Sequence, residues 1–470
     1  MEARPARNYR VNKIADTKVR SDTGSGTSTR SDRVRNRDYC SPALPGVVQP
    51  FGGRMPESCK RGMILRARAV VTMDGPPIEN GAVAISGDRI VDVGRFDEVK
   101  TRNLDTVVDL GEQALLPGLI NAHCHLDYTC LRRKIPRQKS FTDWIRAINS
   151  EKSKLTPEDY VASINEGFAE AKRFGTTTIV NLTAFPELIR QLPDMPIRTW
   201  WYAELIDVRS PDRTNELVDS AIELLKSAQN YGLGPHAPFT ASENLYRRCE
   251  EAGEGMLLTT HLAESREEME MFCHASGPLY EFMKSIGRDM RDCGHRTPLA
   301  LFIGASDAGS APARRAPAQW LVAHLNELTE NDFGLLGKMK TKFHVVHSPR
   351  SHRYFGHGRF QSERLHKLGF NICLGTDSLA SNVSLSLFAE MRAFRCTQPE
   401  ISPEKILEMV TVNPASALHQ PNLLGRIRPG FRADLIAIPC RDRGDRFGEI
   451  VAFDGNVDWI MVNGRTQGFD

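Results

Sequence analysis

The rhythm of apolar and polar positions changes twice along the chain. From Met63 to Val93 three short β-branched runs are broken by Gly75-Pro76-Pro77, Asn80-Gly81 and Gly87-Asp88, which are strand and hairpin signals. The same character returns in residues 425–439 and 457–465. Two separated pieces with matching β character predict one small domain assembled from residues 63–114 and 424–470. Between them, short apolar runs alternate with helical patterns. Thr156-Pro157-Glu158-Asp159 supplies an N-cap, a proline at the first helical position and an acid at the third, and Val161, Ile164, Phe168 and Ala171 keep helical spacing up to Gly175. Counted from Leu119, the strand candidates are the run ending at His125, then residues 176–182, 198–205, 231–238, 256–265, 320–325, 343–349 and 370–377. Eight strands alternating with helices predict an α/β fold, a (β/α)8 TIM barrel over residues 115–423, with a small β-sandwich domain built from both flanks of the barrel. Residues 269–318 are less regular and read as an enlarged loop after the fifth strand.

Composition adds little to this fold, but charge divides the chain. Its 470 residues, 40% hydrophobic and 25% charged, suit a large globular domain with a smaller companion. Residues 1–62 carry 13 Lys/Arg against 6 Asp/Glu, whereas the remainder carries 48 against 52. The basic character belongs to this leader, which is rich in Ser, Thr, Gly and Arg and is expected to be disordered. A basic arm can touch nucleic acid and an Arg/Ser-rich start resembles a transit peptide. The simpler reading is a solvated tail, or upstream sequence before a start at Met63. Nothing in the body of the chain suggests nucleic acid or a membrane span. The ten cysteines are scattered without a Cys-x-x-Cys pair, which suits a reducing cytoplasm and excludes the zinc deaminases that carry Pro-Cys-x-x-Cys.

The chemistry gathers at the strand ends. The apolar run LLPGLINAHCHLDYTC (residues 115–130) contains His123 and His125, one residue apart, so in an extended chain both project to one side. Glu204, His236, His261, His324, His347 and Asp377 fall at the carboxyl ends of the third to eighth strand candidates. A buried strand has no packing reason to end in histidine, and so many converging residues predict a site at the barrel mouth. Three histidines and an aspartate fit a catalytic divalent ion, which lowers the pKa of bound water towards ~7. Glu264, three residues after His261, is positioned to move a proton between the attacking water and a leaving nitrogen.

These motifs carry a resemblance. Pro117-Gly-Leu-Ile-Asn-Ala-His-Cys-His-Leu126, His261-Leu-Ala-Glu264, His347-Ser-Pro349 and Leu374-Gly-Thr-Asp377-Ser-Leu-Ala-Ser-Asn382 resemble the amidohydrolase superfamily. More narrowly they resemble its branch of cytosine, S-adenosylhomocysteine, aminofutalosine and 8-oxoguanine deaminases and triazine chlorohydrolases. The resemblance covers residues 63–465. It implies that His123, His125, His261 and Asp377 bind one divalent metal ion, zinc in the first instance, with iron or manganese as alternatives. It implies Glu264 as proton shuttle, His324 as the residue that orients the attacking water, and Asp377 as a proton acceptor from that water. His236 matches a substrate-contacting position and His347 lies where the family has His-Asn-Pro or His-Ser-Pro; with them Glu204, at the end of the third strand, is a substrate-binding candidate. The fourth strand ends in Gly234-Pro235-His236 without the lysine that bridges two metals in some relatives, so a mononuclear site is expected.

The segment from Arg350 to His357 departs from the Asn-Pro-x-Ser-Asn form of purine-nucleoside deaminases, and Arg350 with Arg353 is a candidate pair for a substrate carboxylate. The expected function is hydrolytic deamination of a purine-like or other N-heterocycle with release of ammonia. The alternative is dechlorination or cyclic-amide hydrolysis of a heterocycle. A non-catalytic scaffold with the leader as its binding arm is a third reading, against which all four metal ligands are retained. Homo-oligomers are common among similar proteins.

Overall fold

The computed structural model describes residues 62–193, 195–252, 255–304, 319–440 and 444–468; the expectation for the leader falls outside them. The first barrel strand, Leu119–His125, is followed by Thr176–Thr183, Arg198–Leu205, Asn230–Pro235, Leu257–Leu262, Trp320–His324 and His344–His347, each paired in parallel with the next. The eighth strand comes in two pieces. Asn371–Leu374 pairs with the seventh strand and Asp377–Ser378 with the first, so the chain steps across the gap at Gly375-Thr376 and closes the ring. The step is held by Gly375 N–H donating to His347 O (3.0 Å) and Thr376 N–H donating to His123 O (3.0 Å). A Cβ on Gly375 would lie 2.7 Å from His123 O and 2.9 Å from His123 N, closer than non-bonded atoms approach, which is why a glycine stands here.

Strand alternation decides what fills the barrel. Ile120, Ala122, Val180, Leu182, Trp200, Tyr202, Leu257, Leu321, Val346 and Cys373 form one apolar cluster inside the ring, sealed at the far end by Ala415, Leu418 and Leu424. Their neighbours Ile179, Trp201, Ala203, Leu258, Leu262, Trp320, Val322, Val345 and Leu374 face the surrounding helices. Both Trp201 and Trp320 are therefore packing residues. Gly232 sits where a Cβ would lie 2.5 Å from the Tyr202 ring, so the glycine makes room for that side chain.

The helix Pro157–Arg173 begins as expected. Asp159 N–H donates to the Thr156 hydroxyl while the Asp159 carboxylate accepts from Thr156 N–H. Its buried face carries Ile164, Phe168 and Ala171. The loop after the fifth strand holds helices Arg266–His274, Gly277–Ser285 and Pro298–Phe302, and its residues 305–318 lie outside the described residues. No helix among the described residues is long and apolar enough to cross a membrane.

The second sheet draws on both ends of the described chain. Met63–Val70, Ile78–Ser86, Arg89–Arg95, Thr106–Asp109 and Gln113–Pro117 join Leu435–Pro439, Trp459–Val462 and Arg465–Thr466 in one mixed sheet. The fold is thus the expected (β/α)8 barrel with a small β domain fed from both flanks. Gln113–Pro117 pairs with Leu435–Pro439 along its whole length, so the small sheet runs past residue 114. Gly118, whose Cβ would collide with the Thr177 side chain, is the single residue between the two sheets.

One prediction follows from the ring closure. Gly375→Ala forces the eighth strand away from His123 and costs about 1–3 kcal/mol by overpacking, with a matching loss of bound metal. Thermal unfolding and elemental analysis of the purified variant check both.

Candidate metal centre and active site

The first strand cannot aim His123 and His125 inward by simple alternation, because Ile120 and Ala122 already face the interior and His123 is out of phase with them. The register with the second strand shifts between Asn121 and Cys124. This bulge turns Cys124 outward into the helix-facing core and swings both histidines into the mouth. Asn121 supports the turn, donating to the Thr376 hydroxyl (2.8 Å) and accepting from Thr376 N–H (3.2 Å). On the sixth strand Trp320 and Val322 face outward, so His324 is out of phase too. It adopts a left-handed backbone (φ +77°), as do Leu325 (φ +49°) and Asp377 (φ +57°). Such conformations disfavour side chains with a Cβ and cluster at functional sites. Glu204, in phase with Trp200 and Tyr202, and His261, in phase with Leu257, reach the mouth by regular alternation.

The result is a tight knot of electron-rich atoms. The His123 ring lies 5.0 Å from His125, 4.9 Å from His261 and 5.8 Å from His324, centroid to centroid. Ligand atoms of His123, His261 and His324, of His123, His125 and Asp377, and of His125, Glu204 and His261 lie within 4.8 Å of one another in each set. Asp377 Oδ1 is 3.8 Å from His123 Nε2 and 3.9 Å from His125 Nε2. His261 Nδ1 donates to the His236 carbonyl (2.8 Å), which fixes its tautomer and leaves Nε2 as a bare lone pair. That lone pair faces His125 Nε2 at 3.3 Å. Both His123 nitrogens and His324 Nε2 are buried without a hydrogen-bond partner among the described residues. Buried nitrogens of this kind are costly unless satisfied, and a cation shared among them satisfies them together. These residues fit a metal ion.

The surroundings tune the ligands. Asp377 Oδ2 accepts from Ser351 (2.6 Å) and Ser381 (3.2 Å), and Oδ1 accepts from Ser378 N–H (2.7 Å). Burial pushes the Asp377 carboxyl up, but the facing His324 and His123 rings and the Ser351 hydroxyl outweigh it and hold it below its ordinary value. Burial drives the His123 imidazole down to about 3, so it is neutral and available as a ligand. Glu264 Oε1 lies 3.7 Å from His324 Nε2, and burial, reinforced by the Asp377 and Glu268 charges, raises its carboxyl well above the usual range. His236 Nδ1 is paired with the Thr240 hydroxyl (2.6 Å) while its Nε2 faces Glu204 Oε1 at 3.9 Å. Glu204 Oε1 also lies 3.7 Å from His125 Nδ1.

Two expected site residues are not brought to this cluster. His347 is out of phase with inward Val346, so its ring stacks flat on Phe360 (3.9 Å, 5°) and edges Phe394 (6.0 Å) in the layer behind the strands. Arg350 donates to the Ser384 carbonyl (3.5 Å), and its amide donates to Glu390 (2.9 Å). From the same segment it is Ser351 that reaches Asp377. His344, three residues before His347, pairs with Asn371 (2.8 Å).

Other contributors were not singled out from sequence. Glu268 accepts from Glu264 N–H (2.7 Å) and Ala263 N–H (3.2 Å) and so clamps the turn that presents Glu264. Ser265, which caps the helix by accepting from Glu268 N–H (3.1 Å), forms with Glu268 a Ser-x-x-Glu signature that was legible. Lys152, the last residue of helix Phe141–Lys152, places Nζ 4.6 Å from the Tyr128 ring centre, and Tyr128 stacks on His125 at 5.8 Å. Such a cation–π contact is worth roughly 0.5–2 kcal/mol, less than the several kcal/mol that burying a charge costs.

A family model for the amidohydrolase family matches residues 114–466. This chain belongs to the amidohydrolase family. A bacterial imidazolonepropionase-like composite domain also matches residues 81–103, within the small sheet. The chain is 28% identical over 431 residues to a 5-methylthioadenosine/S-adenosylhomocysteine deaminase of Moorella thermoacetica, covering 86% of this chain and 93% of that protein. Among solved structures it resembles Helicobacter pylori aminofutalosine deaminase in complex with methylthio-coformycin (20% identity, TM-score 0.72, 86% and 100% covered). It also resembles the zinc complex of atrazine chlorohydrolase from Arthrobacter aurescens TC1 (18% identity, TM-score 0.71, 86% and 94% covered). At these identities the structural likeness establishes the shared amidohydrolase fold.

The Glu268 clamp predicts a pH effect. Burial pushes its carboxyl from 4.5 up to about 7, so the stability this group contributes is present below about pH 4.5 and lost as the pH rises through about 7. Glu268→Gln keeps one of the two acceptor oxygens, at a cost that does not vary with pH, and removes the titration. Its denaturant midpoint should fall less than that of the wild type between pH 4.5 and 8, by the equivalent of about 1–3 kcal/mol.

Proposed function

We propose that this amidohydrolase is a metal-dependent aminohydrolase that removes an amino group from a purine-like or other nitrogen heterocycle and releases ammonia. The observation that carries the reading is Glu264, a buried carboxyl with a raised pKa, set 3.7 Å from His324 beside the cluster of bare imidazole nitrogens. The deaminase name of the Moorella relative, matched over most of both chains, supports it. His123, His125, His261 and Asp377 would hold one divalent ion, which we assign as zinc; when bound, it lowers the pKa of a water towards ~7. A single ion is favoured because no lysine ends the fourth barrel strand.

The residues around that site divide the proton traffic. His324 Nε2, bare and buried, accepts from and orients the attacking water. Asp377, held ionised, takes a proton from it. Glu264, its carboxyl pKa raised by burial, delivers a proton to a ring nitrogen. The proton Asp377 took from the water passes to the departing amine, so ammonia leaves uncharged, and the hydroxyl proton of the intermediate returns to Glu264 as the carbonyl forms. Glu204 and His236 lie across the mouth and contact the heterocycle. His347 and Arg350 are left out of this assignment. The retained Glu264 favours deamination over displacement of chloride, because a departing amine needs a proton and chloride does not. We also propose that the small domain and the barrel divide near residues 114 and 424, with the crossing at Gly118. The free cysteines among the described residues support a cytoplasmic setting.

The test is ammonia release from a panel of amino-heterocycles, including adenosine, methylthioadenosine, guanine, 8-oxoguanine, cytosine and melamine, with chloride release from atrazine in parallel. Wild-type protein is expected to release ammonia from at least one purine, and Glu264→Gln to release it roughly 10²–10⁴-fold more slowly with its metal content unchanged. Chloride release without ammonia release would replace this reading with dechlorination.

A further inference from the structure

Glu264 is held from two sides. Its N–H and that of Ala263 donate to the Glu268 carboxylate, which fixes the peptide plane before Glu264. The plane after it is fixed by another residue, because Asn326 Nδ2 donates to the Glu264 carbonyl at 3.0 Å. Peptide groups are rigid, so holding both planes gives the Glu264 Cα–Cβ bond one direction. Asn326 is itself anchored, its N–H donating to Ala263 O at 3.0 Å. Its side-chain amide has one workable orientation, since turned over it would set Oδ1 against the Glu264 carbonyl. Oδ1 therefore faces His352 Nδ1 at 2.9 Å. The other ring nitrogen of His352 faces the Gly358 carbonyl at 2.5 Å. Burial drives this ring down to about 4, so near neutral pH it carries one N–H for two oxygens. Gly358 is exposed and its carbonyl can take water instead, whereas Asn326 is half-buried and the ring is the one donor to Oδ1 among the described residues.

We propose that Asn326 and His352 are positioning residues for Glu264: His352 Nδ1–H donates to Asn326 Oδ1 and so keeps the Asn326 amide nitrogen on the Glu264 carbonyl. His352 follows Ser351 in the helix Pro349–Phe355, and Ser351 donates to Asp377 at 2.6 Å. Two consecutive residues thus reach both carboxylates that handle protons, Asp377 directly and Glu264 through Asn326. Their common helix sets where the proton acceptor and the proton donor stand relative to each other. The inference rests on the reading of Glu264 as proton donor, and it gives a role to a residue of the Arg350–His357 segment whose arginines were expected to hold a substrate carboxylate.

The test compares His352→Asn, His352→Gln and Asn326→Ala in the metal-loaded full chain, on whichever compound of the panel the wild type deaminates. Asparagine sets an amide N–H near the place of Nδ1 and glutamine sets one near the place of Nε2, so the two variants separate the two contacts of the ring. His352→Gln and Asn326→Ala should lower kcat roughly 10–100-fold with KM and metal content unchanged, as a misplaced proton donor does. His352→Asn should recover most of that loss. The double variant His352→Gln/Asn326→Ala should be no slower than Asn326→Ala alone, because one chain of hydrogen bonds is broken only once. Hydrogen exchange at the Glu264 amide, read by mass spectrometry on a peptide spanning the turn, should quicken about tenfold in His352→Gln and Asn326→Ala but not in His352→Asn. That readout needs no turnover, so this exchange pattern with a wild type silent in the ammonia assay would sink the deaminase reading and leave the positioning role standing. Wild-type kcat and exchange in His352→Gln, equal losses in the asparagine and glutamine variants, or a loss that follows metal content overturns the proposal.

Discussion

The lone pair on His261 Nε2 faces His125 Nε2 at 3.3 Å, in a pocket crowded with other electron-rich atoms. His261 cannot relieve the contact by moving its proton, because Nδ1 is committed to the His236 carbonyl. His123 adds two more nitrogens with no protein donor, and Asp377 Oδ1 approaches the same point. Protonation does not satisfy His123, whose imidazole burial drives down to about 3. A cation would satisfy these atoms together, and the surroundings suit one: serines on the outer oxygen of Asp377, a carbonyl behind His261, Glu204 behind His125.

Ring closure and ligand placement are one problem in this fold. The eighth strand pairs with the seventh through Leu374 and with the first from Asp377 onward. Its crossing residues bond to the backbone of His123 and His347. Any loosening of the barrel seam therefore moves His123 and Asp377 directly, and a glycine is needed where the two backbones meet. The left-handed turns at His324 and Asp377 are set by the same framework, which holds backbone conformations that isolated chains avoid.

The eight strands, their order and the residues at their ends were legible because buried barrel strands are short apolar runs with abrupt polar ends. Glu204 and His261 also followed from alternation alone. His123, His125 and His324 reach the mouth only because a bulge and two left-handed residues break that alternation, and no local pattern in the sequence announces those breaks. The His-x-His spacing and their position at strand ends located them; alternation within the strands did not. The reverse failure is instructive at His347, where alternation with Val346 pointed away from the mouth and position at a strand end suggested otherwise. Alternation won, and the ring packs on Phe360. Arg350 was read from charge, but in the Pro349–Phe355 helix it is the small neighbour Ser351 that faces Asp377. Lys152 was invisible because it lies 27 residues beyond His125, at a helix end that only the folded chain brings back against Tyr128, which stacks on His125.

The central claim is that the cluster exists to hold one divalent ion. Elemental analysis of the full-length protein, compared with His261→Ala purified alongside it, tests this most directly. The account predicts about one metal ion per chain in the wild type, zinc foremost, and a loss of most of it in the variant, as expected when one of four ligands is removed. Wild-type protein that purifies without metal and binds none when zinc is supplied would contradict it, and the buried lone pairs would then need another explanation.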